Sequence, residues 1–332
     1  MQNKTCSCFD AIDVKVYNSE LQFQPITIAD KELIESYTKP WEAECSDLSF
    51  ANLFIWGGDG NMQYAEKNNF LYIRLTFDGV PAYFWAPIPK KDTQYTYRCA
   101  LFTAVGHMEK LGVEPTFRSV CEPFASMIRE ACPELVGIPT DIAWDYVYAQ
   151  ESLATLKGKK LHGKRNHINK FNILYPEYEY KKIDSSMIDD CIRLYDQWIE
   201  EKDGEVDQGL IEERESVLLA LDHMDELNLV GGAIYIENRL VAFTIGERLT
   251  KDMQLVHIEK ADYMIEGIFP MINQQYVLHE CSDVEWINRE EDMGLEGMRK
   301  AKHSYNPARM VEKFMFGLRD LTDVEGLWGD RE

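Results

Sequence analysis

The stretch Val284–Phe316, VEWINREEDMGLEGMRKAKHSYNPARMVEKFMF, decides how the rest of the chain is read. Val284–Ile287 is a short apolar run of the kind that forms a buried strand. It stops at Asn288, and Arg289, Glu290, Glu291 and Asp292 follow at once. Gly294 and Gly297 then loosen the backbone, and a basic helical turn (Arg299, Lys300, Lys302) leads to Tyr305 and Pro307. Met310–Leu318 reads as one closing strand. Active residues in α/β folds tend to sit where strands end, so these charges face solvent, one another or a ligand. The plain alternative is a solvated loop carrying a few surface ion pairs, each of little energetic weight.

Upstream of this stretch, alternation and helical spacing give an element order. Tyr178–Ile183 alternates as a strand. Ser186–Lys202 places its apolar residues close to one helical face, and Leu210–Asn228 is a second helix. Leu229–Glu237, Leu240–Leu249 and Met253–Ala261 are strands joined by tight turns at Asn238-Arg239 and Thr250-Lys251-Asp252. Gly267–Cys281 is a helix. The order is β-α-α-β-β-β-α-β-(α)-β, that of an acyl-CoA N-acyltransferase-like (GNAT) domain. In the first part, Ala29–Tyr37, Leu48–Trp56, Tyr95–Leu111 and Pro123–Cys132 read as helices. Met62–Ala65, Phe70–Phe77, Ala82–Trp85, Thr116–Val120 and Ile142–Tyr148 read as strands. Gln150–Phe171 reads as a long polar helix or helix–loop joining the halves.

At 332 residues the chain exceeds one ordinary core. The expected division is a lead-in over 1–24, a first domain over 25–150, a basic connector over 151–175 and a second domain over 176–332. The net charge of −22 disfavours a general nucleic-acid or anionic-membrane binder. Eight scattered cysteines with no CxxC pair fit reduced thiols and a cytoplasmic protein. The first residues hold no secretory apolar region, and no apolar run approaches the ~18 residues of a membrane span. No P-loop, GxSxG, HExxH or zinc spacing occurs, so no metal is expected.

Four constellations carry chemistry. On the strand Met253–Ala261, alternation puts His257 and Glu259 on one face, where a carboxylate could deprotonate an attacking ammonium; a cross-strand ion pair is the alternative. In the loop, Asn288, Arg289, Glu290 and Asp292 form a cluster. There Arg289 could grip an anion through its planar fork and Glu290 could act as base; reciprocal pairing is the alternative. Arg299 and Lys302 are i,i+3 neighbours suited to a phosphate or a tRNA acceptor end. Residues 157–170, KGKKLHGKRNHINK, hold six basic residues and no acid. Such a patch suits an anionic substrate or a partner's acidic face.

The segment Gly297–Pro307, GMRKAKHSYNP, resembles the Leu-Arg-Lys-x-Lys-x-x-Tyr/Phe-x-Pro signature of the phosphatidylglycerol lysyltransferase catalytic domain. N-R-E-x-D-x-G-x-x-G-x-R from Asn288 and K-R-N-x-x-N-x-F from Lys164 occur together in its uncharacterised soluble relatives. The resemblance covers most of the chain. It implies an α/β fold of two tandem GNAT-like domains, each a mostly antiparallel twisted sheet flanked by helices. It implies an acyl- or aminoacyl-transferase using aminoacyl-tRNA or an acyl thioester, with Arg165 and Asn166 facing the site, and it places Tyr305 like the tyrosine that protonates a departing thiolate. The characterised lysyltransferases carry a membrane domain ahead of this one; its lack here argues against a lipid substrate. The pyrophosphate turn of CoA-using relatives reads Ala261–Ile268 here, with Asp262, Glu266 and one glycine, which argues against ordinary CoA binding. A non-catalytic module holding an anionic ligand on the same scaffold stays open.

Overall fold

The computed structural model describes residues 20–77, 80–200 and 208–318. Cys6, Cys8 and most of the loop expected over Asp203–Gly209 lie outside them. The strands are β1 (Gln24–Pro25), β2 (Met62–Lys67), β3 (Phe70–Phe77), β4 (Val80–Phe84), β5 (Ile88–Pro89), β6 (Phe117–Val120), β7 (Leu135–Pro139), β8 (Asp145–Ala149), β9 (Glu179–Lys182), β10 (Val230–Ile236), β11 (Arg239–Thr250), β12 (Met253–Ala261), β13 (Trp286–Asn288), β14 (Arg309–Val311) and β15 (Phe314–Leu318). They form two sheets flanked by helices. One runs β1-β2-β3-β4-β6-β15-β7 with β5 against β3; the other runs β14-β8-β13-β12-β11-β10-β9. All pairs are antiparallel except β4–β6 and β12–β13. The mixed α/β class and the mostly antiparallel sheets are as expected from sequence.

Two compact units follow these sheets, but not the contiguous division expected. Gly60–Pro139 pack with β1 and β15, whereas Ile26–Asp59 belong with Thr140–Lys313. Pairing explains the difference. Strand β8 ladders with β13 and β14 in the second sheet, and Ser46 from the early segment donates its N–H to buried Asp145 at 2.8 Å. The closing strand expected over Met310–Leu318 is two strands in different sheets. It breaks at Glu312-Lys313 because the Lys313 ammonium is drawn inward to carboxylates, leaving its side chain 1% exposed. The expected helix–loop over Gln150–Phe171 is two helices, Gln150–Thr155 and His162–Leu174.

In the second unit the β10–β11 hairpin turns through Glu237 and Asn238, both at positive φ, the conformation a tight hairpin requires. The helix Ile268–Glu280 links β12 to β13. With His162–Leu174 it covers one face of the sheet, packing Ile168, Phe171, Ile268 and Met271 against Ile234, Val241 and Ala261. Gly267, at φ 85°, starts that helix, and a Cβ there would lie 2.5 Å from the His167 carbonyl oxygen. Strand β12 carries a bulge opposite Ile245–Gly246, with His257 as the extra residue. Gly246 lets the backbones close at that point, since a Cβ would sit 2.1 Å from the Leu255 carbonyl oxygen.

Candidate functional site

Strands β12 and β13 pair from Met253/Trp286 to Leu255/Asn288 and then part. The chain beyond β13 continues along β8: Arg289 donates its N–H to the Tyr146 carbonyl at 2.9 Å, and Tyr146 donates to the Glu290 carbonyl at 3.1 Å. Strand β12 runs on to Ala261 with only β11 as ladder partner. Side chains fill the place where the strands separate. Arg289 Nη2 donates to Glu259 Oε1 at 3.0 Å, and Asn273 Nδ2 reaches Glu259 Oε2 at 3.3 Å. The Arg289 and Glu259 side chains are 11% and 13% exposed. The guanidinium lies 5.0 Å from the Tyr305 ring centre, and Lys164 Nζ lies 3.9 Å from the same centre. Burial, helped by repulsion from Arg289 and opposed by Glu259, brings the Lys164 ammonium down to about 8. Two buried polar atoms here have no hydrogen-bond partner among the described residues, Arg289 Nη1 and Asn273 Oδ1.

The neighbouring residue faces a different network. Glu290 sits at φ 55°, in the left-handed region that a side chain occupies at a cost. Its N–H donates to Asn288 Oδ1 at 2.8 Å, which stabilises the turn. Glu290 Oε1 accepts from Asn52 Nδ2 at 3.0 Å and lies 3.0 Å from His257 Nδ1. On the other side of that ring, His257 Nε2 lies 3.1 Å from Glu247 Oε1, which also accepts from the Ser49 hydroxyl. Burial opposes charge on the imidazole, but the bonds to Glu247 and Glu290 raise it to about 9. The protonated ring satisfies both carboxylates.

Further cations hold the loop in shape. Lys302 Nζ donates to the carbonyls of Arg289 at 2.6 Å, Glu290 at 3.1 Å, and Glu291. Arg299 grips Asp292 through Nε at 2.7 Å and Nη2 at 3.2 Å, and the Tyr146 hydroxyl donates to Asp292 at 2.6 Å. Burial opposes its ionisation, yet these donors hold Asp292 below the ordinary carboxylate range. Beneath the loop, buried Lys313 pairs with Asp47, with Asp145 at 2.7 Å and with Glu291 at 3.6 Å. Desolvation, opposed by the Lys313 ammonium and reinforced by Asp47, Asp145 and Glu290, raises the half-buried Glu291 to about 7.

The sequence profile of the family described as phosphatidylglycerol lysyltransferase, C-terminal, matches residues 39–317. The chain belongs to this family. A conserved protein of unknown function from Bacteroides thetaiotaomicron is 32% identical, with a TM-score of 0.82 over 90% of this chain and 100% of that one. The C-terminal domain of a putative lysylphosphatidylglycerol synthetase from Agrobacterium fabrum shares the fold at 12% identity. Its TM-score is 0.60 over 87% of this chain and 92% of that one. FemX shares the fold at 7% identity and a TM-score of 0.53, over 91% and 98% of the two chains. An uncharacterised protein of Mycoplasmoides gallisepticum is 22% identical over 183 residues; the match spans 54% of this chain and 58% of that protein's length.

Set against the family's motifs, the expected residues fall into three groups. Glu259, Arg289 and Tyr305 come together, and Glu290 lies one residue from Arg289. Asn288, Asp292, Arg299 and Lys302 are near but engaged inward; Asn288 is buried and donates to the Glu44 carbonyl at 2.8 Å and to Asp145 at 3.0 Å. The third group is the connector pair. Arg165 donates to the carbonyls of Leu156 and, at 2.8 Å, Gly158, tying down the preceding turn, and Asn166 is exposed beside His162. Lys164 reaches the cluster in their place. Helical spacing carried the signal, since Lys164 shares a stripe with Ile168 and Phe171 at i+4 and i+7, both buried. Asn273, Asn52 and Glu247 were not legible, because each reaches the site from a distant segment. Among the described residues no His/Cys/Asp/Glu group could hold a metal, and no helix is long and apolar enough to cross a membrane. In the turn Ala261–Ile268, Asp262 is buried, pairs with Arg239 at 2.9 Å and accepts from the Met264 N–H at 3.0 Å.

Proposed function

We propose that this chain transfers an acyl or aminoacyl group from an activated ester or thioester to an amine or hydroxyl. The observation that carries the reading is the meeting of Glu259, Arg289 and Tyr305 where β12 and β13 part, with polar atoms left unpaired among them. Family membership and the fold shared with a putative lysylphosphatidylglycerol synthetase domain support it. The donor carbonyl is placed against the edge of β12 beyond Leu255, where strand amides lack a ladder partner and can accept developing negative charge. Glu290 is the proposed base. Its Oε1 is held by Asn52 and His257, and its Oε2 has no partner among the described residues. The acceptor gives a proton to Glu290 and attacks; the new C–N or C–O bond forms as the donor's C–O or C–S bond breaks. Tyr305, kept protonated by burial, gives its proton to the leaving oxygen or sulfur. Glu259, bonded through both oxygens, aligns Arg289 and Asn273.

The test is incubation of the purified chain with aminoacyl-tRNA, and separately with acyl-CoA, in the presence of amine and hydroxyl acceptors, with products read by mass spectrometry. Transfer by the parent, lost in Arg289→Ala and Glu290→Gln variants that stay folded, supports the reading. Retained turnover in either variant overturns the assignment. One observation favours a second reading, a binding module: Asn288, Asp292, Arg299 and Lys302 are all satisfied within the protein. That reading expects ligand binding sensitive to Arg289→Ala with no product from any donor.

A further inference from the structure

We infer that Lys164 and Arg289 together form a subsite for a single negative charge carried on oxygen, a phosphodiester or a carboxylate, on the donor. Lys164 stands half-buried in the first turn of the thirteen-residue helix His162–Leu174, in line with buried Ile168 and Phe171. Its Nζ lies over the Tyr305 ring and makes no hydrogen bond or ion pair within the described residues. Four other connector cations have acceptors, Lys157 with Glu151, Lys160 with Asn306, Lys170 with Glu266 and Arg165 with two carbonyls, and Lys159 is exposed to water, whereas Lys164 is half-buried. Arg289 Nη1 is likewise buried without a well-aligned acceptor among the described residues, although the guanidinium also interacts with the Tyr305 hydroxyl. Cationic donors withdrawn from water without acceptors are costly unless a ligand supplies them, and an aromatic face supplies only part. Lys164 and Arg289 carry two positive charges against the one negative charge of Glu259, so the complement is one further negative charge. The position at a helix N-terminus favours the same sign. The subsite is read from these groups; that its anion belongs to an acyl donor rests on the transfer reading above.

Titration calorimetry of the full chain tests it with three probes: the dinucleoside monophosphate CpA, propionate, and uncharged adenosine. CpA or propionate binds, adenosine does not, and the tighter probe identifies the source of the charge. Lys164→Gln weakens that binding by about tenfold or more, Lys164→Arg by less than about threefold, and Lys157→Gln leaves it unchanged. If Lys164→Gln unfolds, Lys164→Met keeps the stem over Tyr305 and reads the same loss. The inference is overturned if neither anion binds the parent at about 20 mM, if the Lys164 variants bind as the parent does, or if Lys157→Gln loses as much. Binding is read without turnover. A chain that binds CpA through Lys164 but transfers nothing refutes the transfer reading alone; one that transfers without Lys164-dependent binding refutes the subsite alone.

Discussion

Arg289 Nη2 lies 3.0 Å from Glu259 Oε1 across the line where β12 and β13 cease to pair. Both side chains are almost fully buried, so neither charge has water to fall back on. Arg289→Ala therefore strands a carboxylate, at a cost of about 3–5 kcal/mol in urea unfolding. The double variant Arg289→Met/Glu259→Leu regains much of that stability while staying inactive in transfer. A cost below about 1 kcal/mol for the single variant would mean the pair is solvated.

His257 gives a pH signature. Its folded value is raised from 6.5 to about 9. The contribution is fully present below 6.5 and lost as pH rises through 9. Thermal midpoints of the parent should fall across that window, and His257→Asn should flatten the fall while lowering stability at pH 6. A parallel slope in the variant would assign the dependence elsewhere.

Glu291 acts in a lower window. As an acid raised from 4.5 to about 7 by burial, it favours the protonated form in the fold. Its contribution is complete below 4.5 and disappears as pH climbs through 7. Glu291→Gln should raise the thermal midpoint at pH 8 relative to the parent and match it near pH 4.5. Lys313→Met, which leaves three acids facing one another, should prevent folding at pH 8.

Gly246 tests the bulge. Gly246→Ala puts a methyl 2.1 Å from the Leu255 carbonyl oxygen and 2.8 Å from the Tyr276 hydroxyl. The expected loss is about 1–3 kcal/mol with reduced transfer, because His257 and Glu259 follow the bulge. Gly106→Ala, in the helix Tyr97–Lys110 with nothing within 4 Å of the new atom, should stabilise by about 0.5–1 kcal/mol.

Much of the second sheet was legible in the sequence because its signals are local. Alternation marks β10, β11 and β12, and the turn at Asn238 joins two of them. Charge at the end of an apolar run marked Arg289 and Glu290 as following a strand, and they do follow β13. Partner choice was not legible. The Glu290 carboxylate is held by Asn52, which lies 238 residues away, and Asn288 by Glu44, which lies 244 away. Motif likeness pointed to Arg165, whereas helical phase turns that guanidinium towards its own preceding loop and sends Lys164 inward. The split of the last strand was hidden for a related reason: strand propensity says nothing about which sheet a segment joins, and the burial of one lysine decided it.

Strand β15 lies inside the first sheet, between β6 and β7, although it is the last strand among the described residues. During synthesis, everything through β7 leaves the ribosome long before this missing slat is made. Until then β6 and β7 present bare edges, the kind of surface that recruits chaperones or neighbouring copies. Cutting the chain after Lys313 would recreate that half-finished state permanently, so expression of residues 1–313 should yield inclusion bodies.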